Sequence, residues 1–209
     1  MMEIFDVSYG LLSNSQSGEL FSLRKKVFKD RLNWAVNCDN GMEYDEYDNI
    51  HATYLFGVQD EQIICSLRFI EIKYPNMING VFKSYFNNIK VPEGNYLEAS
   101  RLFIDKNRAK KMKLESYCIS SMLFLAMINY TRHQGYEGIY AIISHPMLTI
   151  FKRSGWLVSV VEQGMSEKNT IIYLVYMPVD DRNQQILIHK VNQVLLIRNN
   201  SLNTWPLSL

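Results

Sequence analysis

Arg68 sits inside Ile63-Ile64-Cys65-Ser66-Leu67-Arg68-Phe69-Ile70, a run that otherwise reads as a buried strand. A guanidinium in such a place is costly unless a carboxylate meets it, so Arg68 is expected to pair with Asp45, Asp48 or Glu98. Glu98 and Ser100, two residues apart, share one face of a second predicted strand, with Arg101 beside them. Arg24 and Phe28 share a helix face at a four-residue spacing. Two carboxylates and two or three arginines would make a preorganised network able to hold a zwitterion. The same residue types also build purely architectural salt-bridge clusters, and the Glu-Ser-Arg group alone more often does that.

Composition narrows what such a cluster can serve. The 209 residues suffice for one α/β domain and are too few for two, so residues 1–209 are expected to form a single domain. A net charge of +1 creates no global field toward nucleic acid or a membrane. An acidic partner would need a local patch, for which Lys106, Arg108, Lys110, Lys111 and Lys113 are one candidate and Lys152 with Arg153 the preferred one. Cys38, Cys65 and Cys118 are odd in number without CxxC spacing, which fits a reducing cytoplasm better than disulfides or zinc. The four histidines form no evident metal cluster, so no metal is expected. No signal peptide is apparent, and the longest apolar stretch, Met122–Ile128, is far short of a membrane span. A soluble cytoplasmic monomer is the expectation.

The elements that must position the cluster follow from periodicity. Residues 3–8 read as a strand, and Ser17 as the cap of a helix with Leu20, Leu23, Val27 and Leu32 buried. Residues 33–52 read as a long polar loop, and long loops in compact domains tend to be functional. Strands are expected near 53–58 and 62–72, a short helix over Ile78–Phe86, and, after Pro92 and Gly94, a strand at 97–105. A helix from Ser120 to His133 should end at Gly135, and a shorter one should run from Pro146 to Gly155. Strands at 138–143, 157–162 and 170–177 complete a mixed sheet with helices on both faces. That is a three-layer α/β/α sandwich of the N-acetyltransferase kind, which by itself licenses no function. A terminal helix is the one expectation for residues 179–209.

Several segments in consistent order resemble the LuxI-type acyl-homoserine-lactone synthases. They are Leu23-Arg24-Lys25 with Phe28, Asp30-Arg31-Leu32-x-Trp34, Gly41-Met42-Glu43-x-Asp45-x-x-Asp48, Cys65-Ser66-x-Arg68-Phe69, Pro75-Asn76-Met77, Phe82, Glu98-x-Ser100-Arg101-x-Phe103 and Arg153-Ser154-Gly155-Trp156. Each motif is weak alone; the ordered set is specific and covers about residues 2–178, fading in the tail from Val179 to Leu209.

The resemblance implies an enzyme that acylates the amine of S-adenosylmethionine from an acyl carrier protein thioester. The methionine carboxylate then closes the lactone and methylthioadenosine leaves. It makes Glu98 the candidate base, directly or through water, with Ser100 and Arg101 as further catalytic residues. Arg24, Phe28, Trp34, Asp45, Asp48, Arg68 and Phe82 would bind S-adenosylmethionine, and Ala99, Leu102, Met127, Ala141, Ile143, Met147 and Met177 would line the acyl pocket. Lys152 and Arg153 would dock the carrier. No cofactor is required, S-adenosylmethionine being a substrate. Relatives preferring 3-oxo chains commonly have threonine where this chain has Ala141, so an unsubstituted chain such as hexanoyl is expected. The strand at 97–105 is followed by no glycine-rich phosphate loop, which favours a carrier thioester over coenzyme A. An acetyl-coenzyme A-dependent N-acetyltransferase and a non-catalytic regulator are the competing readings.

Overall fold

The computed structural model describes residues 2–89, 93–195 and 202–208, apart from the side chains of residues 116, 117 and 194. In chain order the strands are β1 (Glu3–Ser8), β2 (Cys38–Asp39), β3 (Met42–Glu43), β4 (Ala52–Gln59), β5 (Gln62–Glu71), β6 (Tyr96–Ile104), β7 (Gly138–Ser144), β8 (Ser159–Met165), β9 (Ile171–Pro178) and β10 (Leu207–Ser208). The helices are α1 (Asn14–Arg24), α2 (Lys106–Lys111), α3 (Ser116–His133), α4 (His145–Ser154) and α5 (Asp181–Leu195). A wide π-type turn, Lys25–Arg31, extends α1. Such turns are frequent at functional sites, and this one turns Val27 and Phe28 inward.

Eight strands form one sheet in the order β10-β1-β4-β5-β6-β7-β9-β8, with β2 and β3 as a separate hairpin. Alternation sorts the two faces. Leu55, Leu67, Phe69, Leu97, Ala99, Ile139 and Ala141 pack toward α3 together with residues of α4 and α5. Tyr54, Phe56, Ile70 and Phe103 pack toward Leu20, Leu23, Val27 and Phe28. The expected α/β/α sandwich is the observed one. Gly135 and Gly155 follow α3 and α4 in the left-handed region, φ +77° and +88°, as expected of glycines past helix ends.

Two features of β6 matter for chemistry. Its pairing with β7, parallel where the other neighbours in the sheet run antiparallel, covers only Tyr96–Glu98 against Gly138–Tyr140. Beyond that, β6 stays with β5 to Ile104 and β7 with β9 to Ser144, so the sheet parts between them. The register with β5 also slips between Ser66 and Arg68, opposite Arg101, whose φ of +55° is left-handed. For a residue with a Cβ this costs about 1–2 kcal/mol, and bulges of this kind re-aim a side chain.

Four expectations need correction. Ser13, not Ser17, caps α1, through a reciprocal pair of bonds with Gln16 at 3.0 and 3.1 Å. Leu32 is 43% exposed, because the π-type turn ends there. Residues 78–86 form no helix beyond a short 3-10 turn at Lys83–Tyr85. Asn76 holds that segment instead, bonding the carbonyls of Ile72 and Tyr74 and the Asn79 N–H, and such side-chain bonds compete with helix. The basic stretch after β6 is helical as α2, capped by Asp105 on the N–H groups of Asn107 and Arg108, and α3 begins four residues earlier than expected. The terminal helix exists as α5. Pro92 lies outside the described residues. Among the described residues, no helix is long and apolar enough to cross a membrane.

Candidate active site

The sheet parts just past Glu98, whose Cα partner on β7 is Tyr140. Glu98 is 2% exposed and accepts a hydrogen bond from Ser100 Oγ at 3.3 Å. Ser100 Oγ accepts in turn from Arg68 Nε at 3.2 Å, across the β5–β6 ladder. Arg68 Nη1 donates to Asp45 Oδ1 at 2.5 Å and Asp48 Oδ1 at 2.8 Å, and its Nη2 to Asp45 Oδ2 at 3.2 Å. Arg24, in the last turn of α1, donates to Glu43 Oε2 at 2.5 Å and Asp48 Oδ1 at 2.7 Å. Arg101, turned by the bulge, reaches Glu43 Oε1 at 3.1 Å, Asp45 Oδ2 at 2.7 Å and Met77 Sδ at 3.2 Å. Arg24, Asp45, Asp48, Arg68, Glu98, Ser100 and Arg101 therefore converge.

Three guanidinium groups thus face three carboxylates, with Glu98 one hydroxyl away. Buried charges are expensive unless fully matched, and one donor here is not. Arg24 Nη2 is buried without a hydrogen-bond partner among the described residues, with Asp45 Oδ2 at 4.0 Å. Unsatisfied buried donors are rare. Beside the cluster opens a cleft of about 320 Å³ lined by Asn37, Cys38, Asp39, Tyr44, Asp45 and Glu46.

The electrostatics separate the acids. Burial pushes Glu98 up to about 7, against the pull of Arg68, Arg101 and the Ser100 hydroxyl. Burial also acts to raise Asp48, but Arg24 and Arg68 overcome it and hold that carboxyl well below the ordinary carboxylate range. Among the arginines, burial with the charges of Arg24 and Arg68 lowers Arg101 below its usual value, despite Glu43 and Asp45. A carboxyl poised near neutrality meets one requirement of an acid–base group, though ion-pair networks of purely architectural kind shift carboxyls as well.

Aromatic side chains wall the cluster. Phe28, 1% exposed, stacks on Trp34 at 4.9 Å and 16°, and the Arg101 guanidinium stands 5.8 Å from the Phe28 ring centre. Trp34 itself is 42% exposed, so it covers the site from the solvent side. Phe82 is half-buried and bridges the two apolar groups on that sheet face; its ring contact is with Tyr85 at 5.9 Å. On the other face, Ala99, Met127, Ala141, Ile143 and Met177 belong to one buried group, with Leu102 and Met147 packed against it. Ala99 and Leu102 come from one lip of the parted sheet, Ala141 and Ile143 from the other.

Lys152 and Arg153 are exposed in the last turn of α4. Arg108, of the other basic candidate, pairs with Glu19 and donates to the Ile63 carbonyl at 2.8 Å. Three further residues stand at the cluster, to none of which the sequence analysis assigns a role. Glu43, fully buried, bridges Arg24 and Arg101; the Asn40-Gly41 turn, with φ of 49° and 79°, folds the hairpin that delivers it. Tyr54 donates to Asp48 Oδ1 at 2.7 Å, and the Arg68 guanidinium lies 5.8 Å from the Tyr47 ring.

Comparison with known proteins places the chain in a family. Residues 8–187 match the family model described as autoinducer synthase. The chain is 62% identical over 207 residues to an acyl-homoserine-lactone synthase of Pectobacterium carotovorum subsp. carotovorum, covering 99% of this chain and 96% of that one. It is 66% identical over 194 residues to one of Serratia liquefaciens, covering 92% and 97%. The likeness, which the motifs carry to about residue 178, thus runs through the tail as well. Among solved structures, the acyl-homoserine-lactone synthase LasI superposes with a TM-score of 0.81 at 20% identity, over 90% of this chain and 94% of that one. The coenzyme A-dependent synthase BjaI, bound to SAM and isopentyl-CoA, does so at 0.79 and 20%, over 92% and 90%. At that identity these two speak for the fold. The chain belongs to the autoinducer synthase family, acyltransferases that make acyl-homoserine lactones.

Proposed function

We propose that this chain acylates the amine of S-adenosylmethionine from an acyl carrier protein thioester and then closes the lactone. The carrying observation is the convergence of Arg24, Asp45, Asp48, Arg68, Glu98, Ser100 and Arg101 at the place where β6 and β7 part. Glu98 takes a proton from the substrate ammonium, directly or through water, and the freed amine attacks the thioester carbonyl. The tetrahedral oxyanion collapses to an amide as the C–S bond breaks and the carrier thiol leaves. The methionine carboxylate then attacks its own carbon beside the sulfonium; the lactone C–O bond forms, the C–S bond breaks, and neutral methylthioadenosine departs. The unmatched Arg24 Nη2 gives the carboxylate a seat before that step, while holding amine and thioester together serves the first, bimolecular step, where it is worth roughly 7–11 kcal/mol in favourable cases. Trp34, backed by the Phe28 ring, offers an aromatic face to the cationic substrate. Every group used comes from one chain, and none of these steps calls on a cofactor.

The acyl chain lies in the slot between the sheet lips, against Met127, Met147 and Met177. Ala141, 4% exposed, has no hydroxyl to satisfy a 3-oxo group, which supports an unsubstituted chain such as hexanoyl. The exposed Lys152 and Arg153 support an acidic carrier as acyl donor, as does the segment after β6, where α2 stands and no glycine occurs between Gly94 and Gly135. The test supplies S-adenosylmethionine with hexanoyl carrier protein or hexanoyl-coenzyme A and follows free thiol. The expected result is turnover with the carrier at a kcat/KM at least tenfold higher; equal or better turnover of the coenzyme A thioester would reject the carrier.

A further inference from the structure

Residues 202–208 take no part in the chemistry proposed above, yet they are held by specific bonds to two elements, β1 and α3. Leu207 and Ser208 pair with Ile4 and Glu3 as the edge strand β10, and Leu202 and Leu207 are 1% and 0% exposed. Asn129 of α3 donates to the carbonyls of Leu202 at 2.8 Å and Thr204 at 3.0 Å, while its own oxygen accepts from Gln184 of α5 at 2.8 Å. Trp205 Nε1 donates to Asp6 Oδ1 on β1 at 2.8 Å. The Trp205 ring stands edge-on to Tyr130, 5.3 Å between centres, and Tyr130 lies flat on Phe69 of β5 at 5.4 Å and 8°. Tyr130 is thereby wedged between the tail and the sheet.

Tyr130 follows Met127 by three residues and so lies on the same side of α3. The Thr131 hydroxyl donates to the Met127 carbonyl at 2.7 Å, a bond that bends a helix locally. The depth of α3 over the sheet at Met127 is therefore set from the turn that the tail grips. Packed interiors transmit such shifts, since they have little slack.

We propose that segment 202–208 positions the acyl slot: by clamping Asn129 and Tyr130 it fixes how closely Met127 approaches the sheet, and so which acyl-chain length fits. Trp205 and Asn129 are positioning residues in this account, which rests on the acyl-slot reading above. One methylene in an apolar pocket is worth roughly 10–200-fold in specificity, and a wall freed to move gives up part of that.

The test measures kcat/KM of the full-length chain for acyl thioesters of four, six, eight and ten carbons. Trp205→Ala and Asn129→Ser are compared with the wild type, each below its own unfolding midpoint. The expected result is that the ratio between the best and next-best chain falls at least about fivefold in both. A merely structural tail lowers all four rates in the same proportion, and an unchanged ratio in folded variants overturns the proposal. Should Trp205→Ala fail to fold, Asn129→Ser decides alone, because it keeps the tryptophan and removes only the bonds to the tail carbonyls and Gln184. A wild-type chain that forms no lactone would reject the underlying function instead, a different outcome from an unchanged ratio.

Discussion

Replacing Glu98 by glutamine separates catalysis from stability in opposite directions. The substitution keeps the shape and an oxygen for Ser100 but removes the proton acceptor, so turnover should fall about 10²–10⁴-fold. Raising a carboxyl from 4.5 to about 7 means that the ionised form costs the fold about 3 kcal/mol, at about 1.4 kcal/mol per pH unit. The sign follows from proton binding. The folded protein holds this proton more tightly than the unfolded chain, so the wild type loses stability as pH rises from 4.5 to about 7 and stays at the lower level above. Glutamine escapes that cost. At pH 8 the Glu98→Gln midpoint should lie several degrees above wild type, at about 2–4 °C per kcal/mol, and at pH 4.5 the gain should vanish. The assay pairs lactone formation with thermal unfolding at both pH values. Activity within tenfold of wild type, or a variant less stable at pH 8, would refute the assignment of Glu98 as a buried base.

Other outcomes follow from the same geometry. The kcat/KM of the wild type should rise with pH through about 7 as Glu98 loses its proton, and a profile flat from pH 6 to 8 would contradict this. Arg68→Lys should lose at least about a hundredfold in activity and roughly 3–5 kcal/mol in urea unfolding, because an ammonium cannot serve Asp45, Asp48 and Ser100 together. Asp48, held low by Arg24 and Arg68, contributes stability that is present above the ordinary carboxylate range and lost as pH falls from there toward its depressed folded value, so acid titration of the fold should show a loss that Asp48→Asn lacks. Ala141→Thr should raise the share of 3-oxo product about 5–150-fold, corresponding to about 1–3 kcal/mol, as read by mass spectrometry of the lactones. Lys152→Glu with Arg153→Glu should lower kcat/KM for the carrier thioester in a salt-dependent way and leave a small acyl thioester unaffected.

The charged cluster was legible in the sequence where charge conflicted with its surroundings. Arg68 in an apolar strand demanded acids, and two of its three expected partners bind it directly; Glu98 is reached through Ser100 instead. Arg101 shows why periodicity alone falls short. Strict alternation sets it on the face opposite Ser100, and only the bulge, which nothing in the residue string announces, brings it to Glu43 and Asp45. Glu43 stands in a quoted motif but gets no role there because residues 33–52 carry no period, although Asn40-Gly41 was a readable hairpin signal. Layers and sheet strands were legible because α3 and the central strands are strongly patterned. The caps and turns were less so, since Ser13 and Ser17 are equivalent in type and only the bond to Gln16 distinguishes them. A two-residue edge strand such as β10 is too short for any pattern to reveal it, which left the tail unread.

The stoichiometry of products tests the heart of this account most directly. Wild-type chain supplied with S-adenosylmethionine and hexanoyl carrier protein should release one methylthioadenosine and one free carrier thiol for each lactone formed, and Glu98→Gln should suppress all three together. Thiol released without methylthioadenosine, or lactone formed at the wild-type rate by Glu98→Gln, would contradict it.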